Sequence, residues 1–193
     1  HPGRSNYACG GIGIYMQGRP VEQFIHHAGR TGMSDDTAQR TFTSESFSVP
    51  QLTKHAEDWY SLFNSLGQCH RLYIHRFHSM DYFLEFYRTV TGEKIDAAGL
   101  LRRGERAWNM QKQLNVRLGF GREHDAAPDL WFEPMKAGKK ERPMMDYYQR
   151  EIITRTRTEE MLDEYYAARG WDRETGFPLP EQLDALDLND FAV

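Results

Sequence analysis

The chain has 193 residues, room for one ordinary domain or two small ones. Lys and Arg number 24 against 28 Asp and Glu, so the net charge is -4 and binding to nucleic acid by bulk charge is excluded. Aromatic residues at 13% argue against a disordered polar tail, and 5 Val and 7 Ile against 15 Leu lean away from a large sheet and towards helix. The longest uncharged run, Ser5 to Gly18, holds four Gly and does not suit a bilayer-spanning helix, so no membrane association is expected. Cys9 and Cys69 form no CxxC pair, and no charged-then-apolar leader is present; both features point to a reducing, cytoplasmic setting. The first residue is His1 rather than Met, so the chain is expected to be processed, tagged or cut from something longer.

The opening is Gly-rich, but Gly10, Gly11 and Gly13 lack the G-x-G-x-x-G spacing and a preceding strand, so a plain loop is expected. Pro20 suits the first turn of a helix whose stripe is Val21, Phe24, Ile25 and Ala28, ended by Gly29. Residues 30–49 are polar and read as a loop. Ser48 then caps a strong helix with Pro50 just inside it. Its face runs through Leu52, His55, Ala56, Trp59, Leu62, Phe63 and Leu66, with Gly67 as the left-handed residue beyond the end. A further stripe runs Met80, Phe83, Leu84, Tyr87, Val90 and ends at Gly92. Asp96 caps the longest helix, with Leu100, Leu101, Ala107, Trp108, Leu114 and Leu118 as its stripe. Gly104 inside that helix costs roughly 1 kcal/mol against Ala, so another backbone is expected to approach there. Residues 126–143 form a long connection with three Pro. Thr156 and Glu159 fit a capping box before Met161, Leu162, Tyr165 and Ala168, and Pro178 and Pro180 introduce a last short helix over 181–188. The expected fold is all-α: five or six helices in an irregular multihelical arrangement with long loops and no sheet beyond a short hairpin.

Few residues stand out for chemistry on spacing alone. His75 and His78 would share a helix face near His70, and His26-His27 is a doublet, but no thiolate or acid completes a zinc set. Asp35-Asp36, Glu57-Asp58 and Glu159-Glu160 are adjacent pairs, which do not face each other on a helix and are expected to be solvated. The basic stretch Lys136, Lys139, Lys140, Arg142 reads as a solvated loop or a docking patch for an acidic partner. A lone cysteine such as Cys69 is ordinarily a small buried hydrophobe.

The setting of Cys69 changes that weighting. The segment Asn64-Ser65-Leu66-Gly67-Gln68-Cys69 resembles the Asp-x-x-Gly-Leu-Cys motif of the tungsten-containing aldehyde:ferredoxin oxidoreductase family. Further blocks resemble that family's C-terminal region in the same order: Thr91 to Lys94, Arg103 to Asn109, Asn115 to Phe120, Met161 to Asp172, and Gly176 to Leu183. Residues 1–50 resemble it less. Asn64 stands where the family has Asp, and Gln68 where it has Leu. The family's upstream Cys-x-x-Cys-x-x-x-Cys run is not in this sequence.

The resemblance implies that 1–193 is the C-terminal helical region of such an enzyme, with a sub-boundary near 91–96. It implies a bis-molybdopterin tungsten (tungstopterin) centre, a [4Fe–4S] cluster, and oxidation of an aldehyde to a carboxylic acid with electrons passed to ferredoxin. Asn64, Leu66, Gly67 and Gln68 would touch the pterin, and Cys69 would ligate the cluster. His26 and His27 are the nearest upstream candidates for the family's proton-transferring histidine. The implied partners are the N-terminal part of the same enzyme and a ferredoxin, with a homodimer left open. In isolation the chain is expected to carry no cofactor and no activity. Two other readings stay open: a tungsten subunit that reduces aromatic thioesters of the benzoyl-CoA type, and a non-catalytic helical interaction module.

Overall fold

The computed structural model describes residues 20–68, 79–138, 140–146 and 148–191. Among them are seven α-helices: α1 (Val21–Arg30), α2 (Asp35–Thr41), α3 (Val49–Ser65), α4 (Met80–Thr91), α5 (Ala97–Arg117), α6 (Arg155–Arg169) and α7 (Pro180–Ala185). Among the described residues the one sheet is a hairpin of β1 (Met135–Ala137) and β2 (Lys140–Arg142), antiparallel with Lys136 opposite Glu141. The fold is thus mostly α, as composition and periodicity imply.

Most helix ends follow local chemistry. Ser48 and Asp96 accept hydrogen bonds from the N–H groups of Gln51 and Gly99, satisfying donors that a helix start leaves unpaired. Three expectations need correction. Residues 30–49 are not all loop, because Ser34 caps the short helix α2 and Asp35-Asp36 complement its N-terminal dipole. The cap of α6 is Thr154, not Thr156, since its hydroxyl accepts from the Arg157 N–H. The basic stretch is a hairpin rather than an unstructured loop.

Three apolar clusters hold the helices. Phe24 and Ala28 of α1 pack with Met33, Ala38, Phe42 and Leu52, and the Phe24 and Phe42 rings stack 5.7 Å apart. Trp59, Leu62 and Phe63 of α3 meet Met80, Phe83 and Leu84 of α4 and Leu100 of α5; Phe63 and Phe83 lie edge to face at 4.6 Å. Leu183, Leu186 and Leu188 close the C-terminal end against Met110.

The central contact is α5 crossing α3. A Cβ on Gly104 would lie 2.1 Å from the Asp58 carbonyl oxygen, so only Gly allows the two backbones this close. The expected stripe of α5 holds only in its first half. Leu114 is 51% and Leu118 73% exposed, while Asn109, Lys112 and Gln113 are buried. The inward face there is polar because it meets a hydrogen-bonded layer rather than an oily one. Val90, expected inside, also faces solvent.

Candidate functional site

Helix α3 carries something of interest at each end. At its C-terminal end the Gly67 N–H donates to the Asn64 carbonyl and the Gln68 N–H to the Phe63 carbonyl, with Gly67 at φ +70°. This pair of bonds is a Schellman motif, which fixes the exit direction of the chain. Leu66 packs on the α3–α4–α5 core, so the turn is anchored on its inner side. Asn64 and Gly67 are exposed, and no atom lies within 4 Å of where a Gly67 Cβ would be. The turn therefore offers an open, rigid surface immediately before Cys69. Cys69 itself, with Cys9, His70, His75 and His78, lies outside the described residues.

In the N-terminal half of α3 the structure reveals what spacing did not. Glu57 and Asp58 are not a solvated pair. Both bind Arg169, the last residue of α6, whose side chain is fully buried. Arg169 Nη1 donates to Asp58 Oδ1 at 2.5 Å, and Nη2 donates to Glu57 Oε2 at 2.7 Å and to the Lys54 carbonyl at 3.0 Å. Its Nε reaches the Tyr165 hydroxyl at 3.2 Å; that hydroxyl donates to Glu57 Oε2 at 2.6 Å and accepts from Trp108 Nε1 at 3.3 Å. Lys54 bridges Asp58 at 2.9 Å and Glu105 of α5 at 2.8 Å. Three helices are thus pinned by one network in which every Arg169 nitrogen finds an acceptor, the condition for keeping a buried charge.

Electrostatics follow from this burial. Desolvation pushes the Glu57 carboxyl above the ordinary carboxylate range, with Arg169 and Tyr165 pulling the other way. Burial and the neighbouring Glu57 hold the Tyr165 phenol well above its usual value. Burial works against the Arg169 charge, but Tyr165, Asp58 and Glu57 outweigh it and strengthen protonation. The group is a hydrogen-bonded ion network that ties α6 to α3.

Above it opens a cleft of about 610 Å³ between α3, α5, α6 and the segment around 125–131. Glu57, Trp108, Trp131, Tyr165 and Trp171 are among the residues that line it. A second network holds the far wall. Arg122 Nη1 donates to Asp163 at 2.6 Å, Lys112 pairs with Asp125 at 3.0 Å, and Trp171 Nε1 donates to Asn109 at 2.8 Å.

The candidate histidines do not join either place. His26 is exposed on α1, His27 is half-buried beside it, and neither lines the cleft. Among the described residues no group of three or more His, Cys, Asp or Glu is arranged to hold a metal. Glu57, Asp58, Tyr165 and Arg169 were missed by spacing because their partners are more than 100 residues apart. The one local signal was two acids set between Ala56 and Trp59, both core residues.

A search of curated proteins returns no match. Among solved structures, the active site complex BamBC of benzoyl coenzyme A reductase, in complex with 1,5-dienoyl-CoA, is similar at a TM-score of 0.50 and 20% identity. The match covers 74% of this chain and 20% of that one, so the chain spans about a fifth of that protein's length and shares its fold. The sequence model for aldehyde ferredoxin oxidoreductase, domains 2 & 3, matches residues 6–188. With nearly the whole chain covered, the protein belongs to the aldehyde ferredoxin oxidoreductase family, in the part formed by domains 2 and 3.

Proposed function

We propose that this chain is the C-terminal helical region of a tungstopterin, iron–sulfur oxidoreductase that oxidises aldehydes to carboxylic acids and passes the electrons to ferredoxin. The observation that carries the reading is the anchored turn at 64–68, which sits in a family match over residues 6–188 and displays Asn64 and Gly67 outward. The reaction is aldehyde plus water to carboxylic acid, releasing two electrons and two protons. The tungsten centre supplies that oxidation when bound, and the protein positions and isolates it.

The fit of the residues is partial. The turn suits a flat cofactor: Leu66 fixes it from inside, Gly67 leaves room for close approach, and the Asn64 amide can donate and accept without adding charge. A [4Fe–4S] cluster takes four thiolates, and the sequence holds two cysteines. Cys69 would supply one, and the remaining ligands would come from another part of the enzyme.

The test is substrate profiling of the intact enzyme. Aldehyde-dependent reduction of ferredoxin or a viologen dye supports the reading. Reduction of an aromatic acyl-CoA without aldehyde oxidation would replace it with thioester chemistry, and neither activity in a metal-loaded protein would favour a non-catalytic scaffold.

A further inference from the structure

Three of the chain's four tryptophans, Trp108, Trp131 and Trp171, line the one cleft described above. Its volume of about 610 Å³ falls within the roughly 300–1,000 Å³ of small-molecule sites. The walls are preformed. Trp108 and Trp171 are held by hydrogen bonds through their ring N–H groups, while Trp131 stands at the rim, 43% exposed. Met161, Leu162 and Pro50 complete an apolar body.

The polar groups in this lining are unequal. Its one cation, Lys112, is already engaged: it pairs with Asp125 and lies 4.9 Å from the Trp171 ring centre. Glu57 engages only Oε2, which accepts from both Arg169 and Tyr165; among the described residues nothing donates to Oε1. Glu159 likewise uses Oε2 for Arg122 and leaves Oε1 unused among the described residues. The other polar lining groups are neutral amides and hydroxyls, apart from Asp125. The unspent charged capacity of the cleft is therefore acceptor only, set among aromatic faces that attract cations.

We propose that this cleft binds an organic amine with an aromatic body, its ammonium on Glu57 Oε1 and its ring against Trp131. Burial already holds the Glu57 carboxyl above its ordinary range, and an arriving ammonium would relieve that. The site is separate from the turn at 64–68: Glu57 and Ser65 are eight positions apart, about 12 Å along α3. It stands or falls independently of the tungstopterin reading.

The test is isothermal titration of the full enzyme with three molecules of one shape: 2-phenylethylamine, 2-phenylethanol and phenylacetate. The expected result is saturable binding of the amine, about tenfold or more tighter than either of the others. Trp131→Ala should weaken the amine about tenfold, and Leu162→Trp, which fills the cleft, should abolish binding while circular dichroism stays unchanged. Glu57→Gln should remove the preference of amine over alcohol. Should that variant fail to fold because Arg169 loses a partner, Leu162→Trp decides. Equal affinity for all three probes, amine binding unaffected by Leu162→Trp, or no binding at all because another segment of the enzyme fills the cleft would each overturn the proposal.

Discussion

Replacing Gly104 with Ala separates two physical effects that oppose each other. Helix propensity alone favours Ala in the interior of α5 by about 1 kcal/mol. The structure reverses that sign. The new Cβ would lie 2.1 Å from the Asp58 carbonyl oxygen and 3.1 Å from both the Asp58 carbonyl carbon and the Leu62 nitrogen, all of them backbone atoms of α3. A carbon–oxygen contact normally sits near 3.3 Å or beyond, so the helices must part by roughly 1 Å. No side-chain rotation can absorb this. Parting them loosens Trp59, Leu62 and Leu100 and stretches the Lys54–Glu105 bridge. Overpacking of this kind costs about 1–3 kcal/mol, and a backbone clash belongs at the upper end. A net loss of about 2–3 kcal/mol corresponds to a fall in Tm of roughly 4–12 °C for a chain of this size. Thermal unfolding followed by circular dichroism measures it, with Gly29→Ala as the control. Gly29 lies in α1 with open space around its Cβ position, so Ala there should be neutral or stabilise by up to about 1 kcal/mol. A Gly104→Ala protein as stable as the parent would refute the close crossing of α3 and α5.

Three further outcomes follow from the core and its charges. Trp59→Ala removes a buried ring that meets Phe63 and Phe83, and should cost about 3–5 kcal/mol in denaturant titration; a loss below about 1 kcal/mol would mean that α3 presents another face inward. Asp58→Ala strips the buried Arg169 of one carboxylate and should destabilise by about 3–5 kcal/mol, while a double replacement of Asp58 and Arg169 by apolar residues should recover much of that loss. His55, hydrogen-bonded to the Thr31 hydroxyl at 2.8 Å, is held down to about 4 by burial, then by Lys54, against an ordinary value of 6.5. The unfolded chain therefore takes up a proton here between pH 6.5 and 4 that the folded chain refuses, so this stabilisation is complete above pH 6.5 and is lost as pH falls towards 4. The loss is up to about 3 kcal/mol, and His55→Gln should flatten that part of the stability–pH curve.

What the sequence alone could show depended on whether the information was local. Helix α3 was legible because its apolar spacing, the Ser48 cap and the Gly67 stop all lie within twenty residues and agree. Gly104 was legible as a close approach because a glycine inside a long helix has few other uses. The second half of α5 was not, since its inward face carries Asn109, Lys112 and Gln113 with Val116 as the apolar exception, and the leucines at 114 and 118 point out. Hydrophobic periodicity cannot find a polar interior. The Glu57–Asp58–Arg169 network was hidden for another reason: adjacent acids look solvated until a cation from the end of α6 is brought to them by the fold. The turn at 64–68 is visible by resemblance, and its two Schellman hydrogen bonds show how the chain leaves α3 there.

The proposal that this chain lends one thiolate and a cofactor-facing turn to an iron–sulfur tungstoenzyme turns on Cys69. Electron paramagnetic resonance of the dithionite-reduced intact enzyme, compared between the parent and Cys69→Ser, reads the cluster itself. The expected result is a [4Fe–4S] signal in the parent that is lost or altered in Cys69→Ser, with the helical circular dichroism spectrum retained. An iron–sulfur signal identical in both proteins would contradict it.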